Sequence, residues 1–160
     1  MLRIRPFKWS DAEALYKRNI QPEVLDELVT APPDTLEGTV NYFSQRLGNN
    51  DVVLVAEEDG NVAGSVEIKM RRGKEAHVGT VSLAVKSEFW GHGIGTKLVK
   101  EAIKEAKRKG LEKLVYNVSD YNKRSINLAK DLKFKFVARL KKNVKVGKKY
   151  HDMLFFEKFL

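Results

Sequence analysis

The 160-residue chain contains no cysteine. That absence removes a disulfide scaffold, a cysteine-ligated zinc site and a cysteinyl acyl-enzyme together. No apolar run approaches the roughly 20 residues that a membrane helix needs. The opening stretch MLRIRPFKWSD lacks the apolar core of a secretory signal. A cytoplasmic location is therefore the expectation, with no membrane partner and no metal. Acidic residues are in deficit, 21 against 30 Lys and Arg, for a formal net charge of +9. Such an excess invites a nucleic-acid reading, and lysines do cluster at Lys141, Lys142, Lys145, Lys148 and Lys149. Yet no helix-turn-helix, zinc-finger or aromatic RNA-binding signature accompanies them, so nucleic acid is disfavoured. Basic surfaces equally attract small polyanionic cofactors.

With 42% hydrophobic and 32% charged residues, the composition is that of a soluble globular protein, and 160 residues suit one domain, 1–160. No repeat or linker divides it. Leu2 to Arg5 alternates as a short strand. Ser10-Asp11-Ala12-Glu13 has the spacing of a capping box and predicts a helix start, and a second helix should follow Asp34 and end before Gly48. VVLVAEEDGNVAGSVEIKM reads as two strands turning at Asp59-Gly60, and HVGTVSLAV as a third. Ile94, Leu98, Val99, Ala102, Ile103 and Ala106 recur at helical spacing before Gly110. A strand (KLVYNV), a helix (Lys123 to Leu132) and two further strands about Gly147 complete a β-α-α-β-β-β-α-β-α-β-β order, a mixed α/β domain.

The stretch Gly91-His92-Gly93-Ile94-Gly95 lies between a predicted strand and the best-marked helix. The first N–H groups of a helix lack partners within it and, with the helix dipole, attract anions. Glycine lets a phosphate approach the backbone closely. A plain strand-to-helix turn would need only one. The Walker pattern fails, because Lys97 stands at the wrong offset from Gly95 and no Ser or Thr follows it. The dinucleotide fingerprint fails too, since the spacing is Gly-x-Gly-x-Gly and several strands precede it.

Trp90-Gly91-His92-Gly93-Ile94-Gly95 resembles the cofactor loop of the GNAT superfamily, the Gcn5-related N-acetyltransferases, whose usual form is Arg/Gln-x-x-Gly-x-Gly/Ala. Only its first position departs, with Trp90 for Arg or Gln. The segment Asn122 to Phe134 is similar to the family's Asn-x-x-Ala/Ser…Gly-Phe stretch, and GKKYHDMLFFEKFL to its terminal strand. Trp90, Ser125 and Ala129 together resemble the branch that contains ribosomal-protein N-terminal acetyltransferases. Two departures stand out. Ala129 occupies the position where many members carry a tyrosine that protonates the leaving thiolate. Lys133 replaces the glycine before Phe134, so an altered turn is expected there.

The resemblance implies a single-domain GNAT fold: a mixed central sheet, flanked by helices, with a splay between two central strands. It implies acetyl-CoA as cofactor, with Trp90, Gly91, His92, Gly93, Ile94, Gly95 and Thr96 around the pyrophosphate. Leu83, Ala84 and Val85 would hold the pantetheine arm as an added strand, assisted by Asn122, with Ser125 alongside. Asn122 also suits a helix N-cap. The implied activity is acetyl transfer to a primary amine, on a peptide N-terminus or a small molecule, and a homodimer is an open expectation.

That chemistry needs a base for the amine, donors for a tetrahedral oxyanion and an acid for the thiolate. Ser125 is the first candidate acid, set against a small residue that merely leaves room; Tyr121 is the second. Glu67 is the first candidate base: it is opposite in parity to Val66 and Ile68, though a solvent-facing carboxylate would show the same pattern. His151 has a suitable intrinsic pKa, and His77 is a further option. His92 is expected near phosphate. Trp90, Phe134, Phe136, Phe155 and Phe156 are expected in the core or beside the cofactor, and Lys141 to Lys149 as a solvated hairpin. The alternative function is a non-catalytic acyl-CoA-binding sensor, which Ala129 favours.

Overall fold

Apolar and β-branched runs build one seven-stranded sheet in the computed structural model, which describes all residues, 1–160. The strands are β1 (Leu2–Pro6), β2 (Val52–Glu58), β3 (Asn61–Met70), β4 (Val78–Val85), β5 (Lys113–Ser119), β6 (Lys135–Val146) and β7 (Lys149–Phe159). They lie in the order β1-β2-β3-β4-β5-β7-β6. Only β4 and β5 run parallel. Their pairing covers Val78–Thr80 against Lys113–Val115, and beyond it the two strands part. The expected splay is thus present in the middle of the sheet. Each strand keeps its other neighbour, β3 for β4 and β7 for β5, so the gap is held open from both sides.

Five helices cover the sheet: α1 (Ala12–Asn19), α2 (Pro22–Glu27), α3 (Leu36–Gly48), α4 (Ile94–Arg108) and α5 (Lys123–Asp131). The helical repeat read from the sequence buries Ile94, Leu98, Val99, Ala102 and Ala106 of α4 in the larger core, against Val66, Ile68 and Val81. Fully burying such a side chain contributes about 1.5–3 kcal/mol. On the other face Leu15 of α1 and Phe43 of α3 close a smaller core over Val53, Val55 and Val62. Two faces of β2 and β3 are therefore buried, which is why their sequences read as nearly continuous apolar runs.

The structure corrects several expectations. Helix α2 was not foreseen; its six residues, PEVLDE, are too few to show a period. The Ser10/Glu13 capping box does not form. Asp11 instead accepts the Lys8 N–H at 2.7 Å and both Arg5 Nη groups at 2.8 Å, while Glu13 pairs with Lys17. A buried carboxylate with a guanidinium to hold wins over a surface serine. Lys133 does not alter its turn: it adopts φ +64°, and the Phe134 N–H still reaches Ala129 O at 2.9 Å. Phe136 is 55% exposed on the edge strand β6 rather than in the core.

Candidate active site

The loop before α4 owes its shape to two glycines. Gly91 and Gly93 take φ of +81° and +71°, where a side chain is strained, and an added Cβ on either would meet open space. Gly93 is the N-cap of α4, and the first intrahelical bond runs from the Lys97 N–H to Gly93 O. None of the six backbone N–H groups from Gly91 to Thr96 donates to a protein acceptor. Six free donors at the positive end of a 15-residue helix form a site for an anion. Gly95 serves differently: a Cβ there would lie 3.2 Å from both Leu128 and Leu83. Its absence lets α4 start tight against the rim of the splay.

A cleft of about 310 Å³ runs from this loop along the splay. Leu83, Ala84 and Val85 line one wall, Asn122 and Ser125 the other, with Trp90, Gly91, Gly93, Gly95 and Thr96 at the end. The Lys86 N–H donates to Ala63 O on β3. By strand alternation the N–H groups of Leu83 and Val85 therefore face the gap. The Val85 carbonyl already accepts the Trp90 indole N–H at 2.9 Å, which ties the loop to the strand end. Asn122 caps α5 by accepting the Ser125 N–H at 3.1 Å, and its side chain is buried. The Ser125 hydroxyl lies against the Tyr116 phenol, whose pKa burial raises.

Helix α2 closes the cleft from outside. The Arg124 guanidinium sits 3.6 Å from the Trp90 ring centre and pairs with Glu27. Burial raises the pKa of Glu27 against the pull of that arginine. Tyr121 Oη donates to Asp26 O at 2.8 Å, a second tie between α2 and the start of α5. Tyr121 thus spends its hydroxyl on structure.

A second, smaller pocket of about 70 Å³ adjoins the cleft, and Leu28 and Ala84 line both. Glu67 lies in it, only 5% exposed, because α1 and α3 cover the face of β3 opposite Val66 and Ile68. It is not a solvent-facing carboxylate. Its partners are Tyr42 of α3, at 2.6 Å, and Ser65, at 3.2 Å. Arg18 of α1 completes the group, donating to Ser65 Oγ at 2.6 Å and Ala84 O at 3.3 Å. Tyr42 and Arg18 escaped the sequence reading; an arginine ending the apolar face of a helix was the available signal.

The other candidates lie elsewhere. His151 lines neither cavity; its Nδ1 is 3.1 Å from Asp120 and its ring packs edge-on to Tyr121. His77 precedes β4, at the end of that strand away from Val85. The His92 side chain borders a separate recess with Phe89 and Lys97, and the Ile94 side chain is in the core. Only the backbone N–H groups of these two belong to the anion site.

Residues 12–134 match the model of the acetyltransferase (GNAT) family. The chain belongs to that family. GNAT enzymes draw their acetyl group from acetyl-CoA, and a cradle of free N–H groups beside an open strand fits its diphosphate and pantetheine. YwnH of Bacillus subtilis (strain 168), which carries the provisional name phosphinothricin acetyltransferase, is 28% identical over 109 residues, covering 66% of this chain and 67% of its own. The ribosomal-protein-alanine N-acetyltransferase from Brucella melitensis superposes with a TM-score of 0.88 at 27% identity, covering 99% of both chains. A GNAT phosphinothricin acetyltransferase from Sinorhizobium meliloti, solved in complex with AcCoA, shares the fold with a TM-score of 0.90 at 21% identity, covering 99% of this chain and 88% of that one.

Proposed function

We propose that this GNAT protein transfers the acetyl group of acetyl-CoA to a primary amine by direct attack, with no acyl-enzyme. One observation carries the reading: the cleft beside the glycine loop and the pocket of the buried Glu67 share the wall formed by Leu28 and Ala84. Bound acetyl-CoA supplies the activated thioester. The free N–H groups from Gly91 to Thr96 bind its diphosphate, and those of Leu83 and Val85 hold the pantetheine arm and the carbonyl oxygen. Asn122 contacts the same arm while capping α5. Glu67 accepts the amine proton, and Ser125, on the cleft wall, gives its proton to the leaving sulfur and regains one from solvent as Glu67 sheds its own.

The acceptor pocket is small and is walled by the loop Thr30–Pro33 and α3, which supports a compact amine over a long peptide. The names of YwnH and the Sinorhizobium enzyme favour a small amino acid-like acceptor, and that of the Brucella enzyme favours an N-terminal α-amine. The protein acts in the cytoplasm in this reading. A second reading, a non-catalytic acyl-CoA sensor, rests on Ala129: it is fully buried and offers no hydroxyl to the thiolate. Release of free CoA from acetyl-CoA, followed across a panel of small amines and peptides, separates the two. Acceptor-dependent release supports the transferase; tight binding without release on any amine supports the sensor.

A further inference from the structure

We infer that Tyr42 and Arg18 are positioning residues for Glu67, which hold its carboxylate aimed into the acceptor pocket; this rests on the transferase reading above. The hydrogen-bond directions are fixed by chemistry. Arginine has no acceptor, so Ser65 Oγ must accept from Arg18 Nη1 and turn its own proton toward Glu67 Oε1. Tyr42 donates to Oε2 at 2.6 Å, and burial keeps its phenol protonated. Both carboxylate oxygens thus receive a donor, which fixes the direction of the carboxylate. Each oxygen keeps a further lone pair for an incoming amine.

A purely structural ion pair would place the guanidinium directly on the carboxylate. Here Ser65 stands between them, and Arg18 makes no salt bridge, so its charge compensates Glu67 without covering it. Burial works against the Arg18 charge, and Glu67 and then Tyr42 support it. Lys69 of β3 lines the same pocket, 5.6 Å from the Tyr42 ring; Arg46 of α3 lies 5.3 Å from that ring but is paired with Asp51, and β4 contributes the neutral Ser82 opposite. No second carboxylate lines the pocket to compete for the proton.

The test is the pH dependence of kcat/KM in the full chain, compared with Tyr42→Phe and Ser65→Ala, using saturating acetyl-CoA and the best amine of the panel. Removing one hydrogen bond to the carboxylate should move the acidic limb upward by about one pH unit. kcat/KM at pH values below the limb should fall roughly tenfold relative to wild type, with the KM for acetyl-CoA unchanged. A ¹³C NMR titration of the Glu67 carboxyl, assigned by its loss in Glu67→Gln, should show the same upward movement in Tyr42→Phe. An unmoved acidic limb and an unmoved Glu67 titration, with wild-type turnover intact, would overturn the proposal alone. Absence of turnover in the wild-type chain on every amine would instead overturn the transferase reading beneath it.

Discussion

Gly93→Glu tests the anion site with a built-in control. Gly93 has φ +71°, and a residue with a Cβ costs about 1 kcal/mol there, a Tm loss of roughly 2–4 °C for a domain of this size. The new side chain would enter open space in the cleft, so no packing clash adds to that cost. A carboxylate about 6 Å from a diphosphate charge repels it by about 1.5 kcal/mol at an effective dielectric of roughly 40. Two such charges make about 3 kcal/mol, roughly a hundredfold weaker binding. Gly110→Glu provides the comparison, because Gly110 has φ +82° and open space as well but lies past the far end of α4. Calorimetric titration with acetyl-CoA should show the hundredfold loss in Gly93→Glu and wild-type affinity in Gly110→Glu, at similar Tm. Equal affinity in both variants would refute the placement of the diphosphate.

Glu67→Gln should keep the fold and the cofactor affinity but lower kcat by about 10²–10⁴-fold, the usual contribution of a general base, measured by CoA release. Gly64→Ala should destabilise by about 1–3 kcal/mol in thermal or urea unfolding, since its Cβ would lie 2.6 Å from Ala84 O where β3 supports the splay. Asp11→Asn should cost about 3 kcal/mol, as it leaves the buried Arg5 short of its bidentate partner. The Arg5 hydrogen bonds and the Lys8 N–H outweigh burial and hold the Asp11 carboxyl below its usual range. Its stabilising contribution is therefore complete above the unfolded value near 4 and is lost as pH falls through the lower folded one. Urea unfolding of wild type and Asp11→Asn should accordingly converge below that range. Lys133→Gly should raise Tm slightly, by about 0.5 kcal/mol of stability, because it relieves a left-handed lysine.

The sequence carried the periodic elements well. The α4 stripe and the apolar strands declare themselves because a single burial face repeats along the chain. The glycine loop was legible for a different reason: alternate glycines before a helix have few uses. The splay was legible only through resemblance to a family, since no residue in β4 or β5 encodes the end of a register by itself. Helix α2 was invisible because six residues cannot establish a period. The acceptor side was hardest. Arg18, Tyr42, Ser65 and Glu67 come from three elements, and only Glu67 was singled out from the sequence, for its parity opposite to Val66 and Ile68. The histidines drew attention for their intrinsic pKa, yet His151 is held by Asp120 and Tyr121 and His77 stands at the wrong end of β4.

The central claim is that cofactor cleft and Glu67 pocket work together as one transferase site. Its most direct test is free CoA release from acetyl-CoA by the full chain across a panel of small amines and peptides, with Gly93→Glu and Glu67→Gln in parallel. The account predicts acceptor-dependent release that falls in both variants, through cofactor affinity in the first and through kcat in the second. Tight acetyl-CoA binding with no release on any amine, or release that Glu67→Gln leaves unchanged, would contradict it.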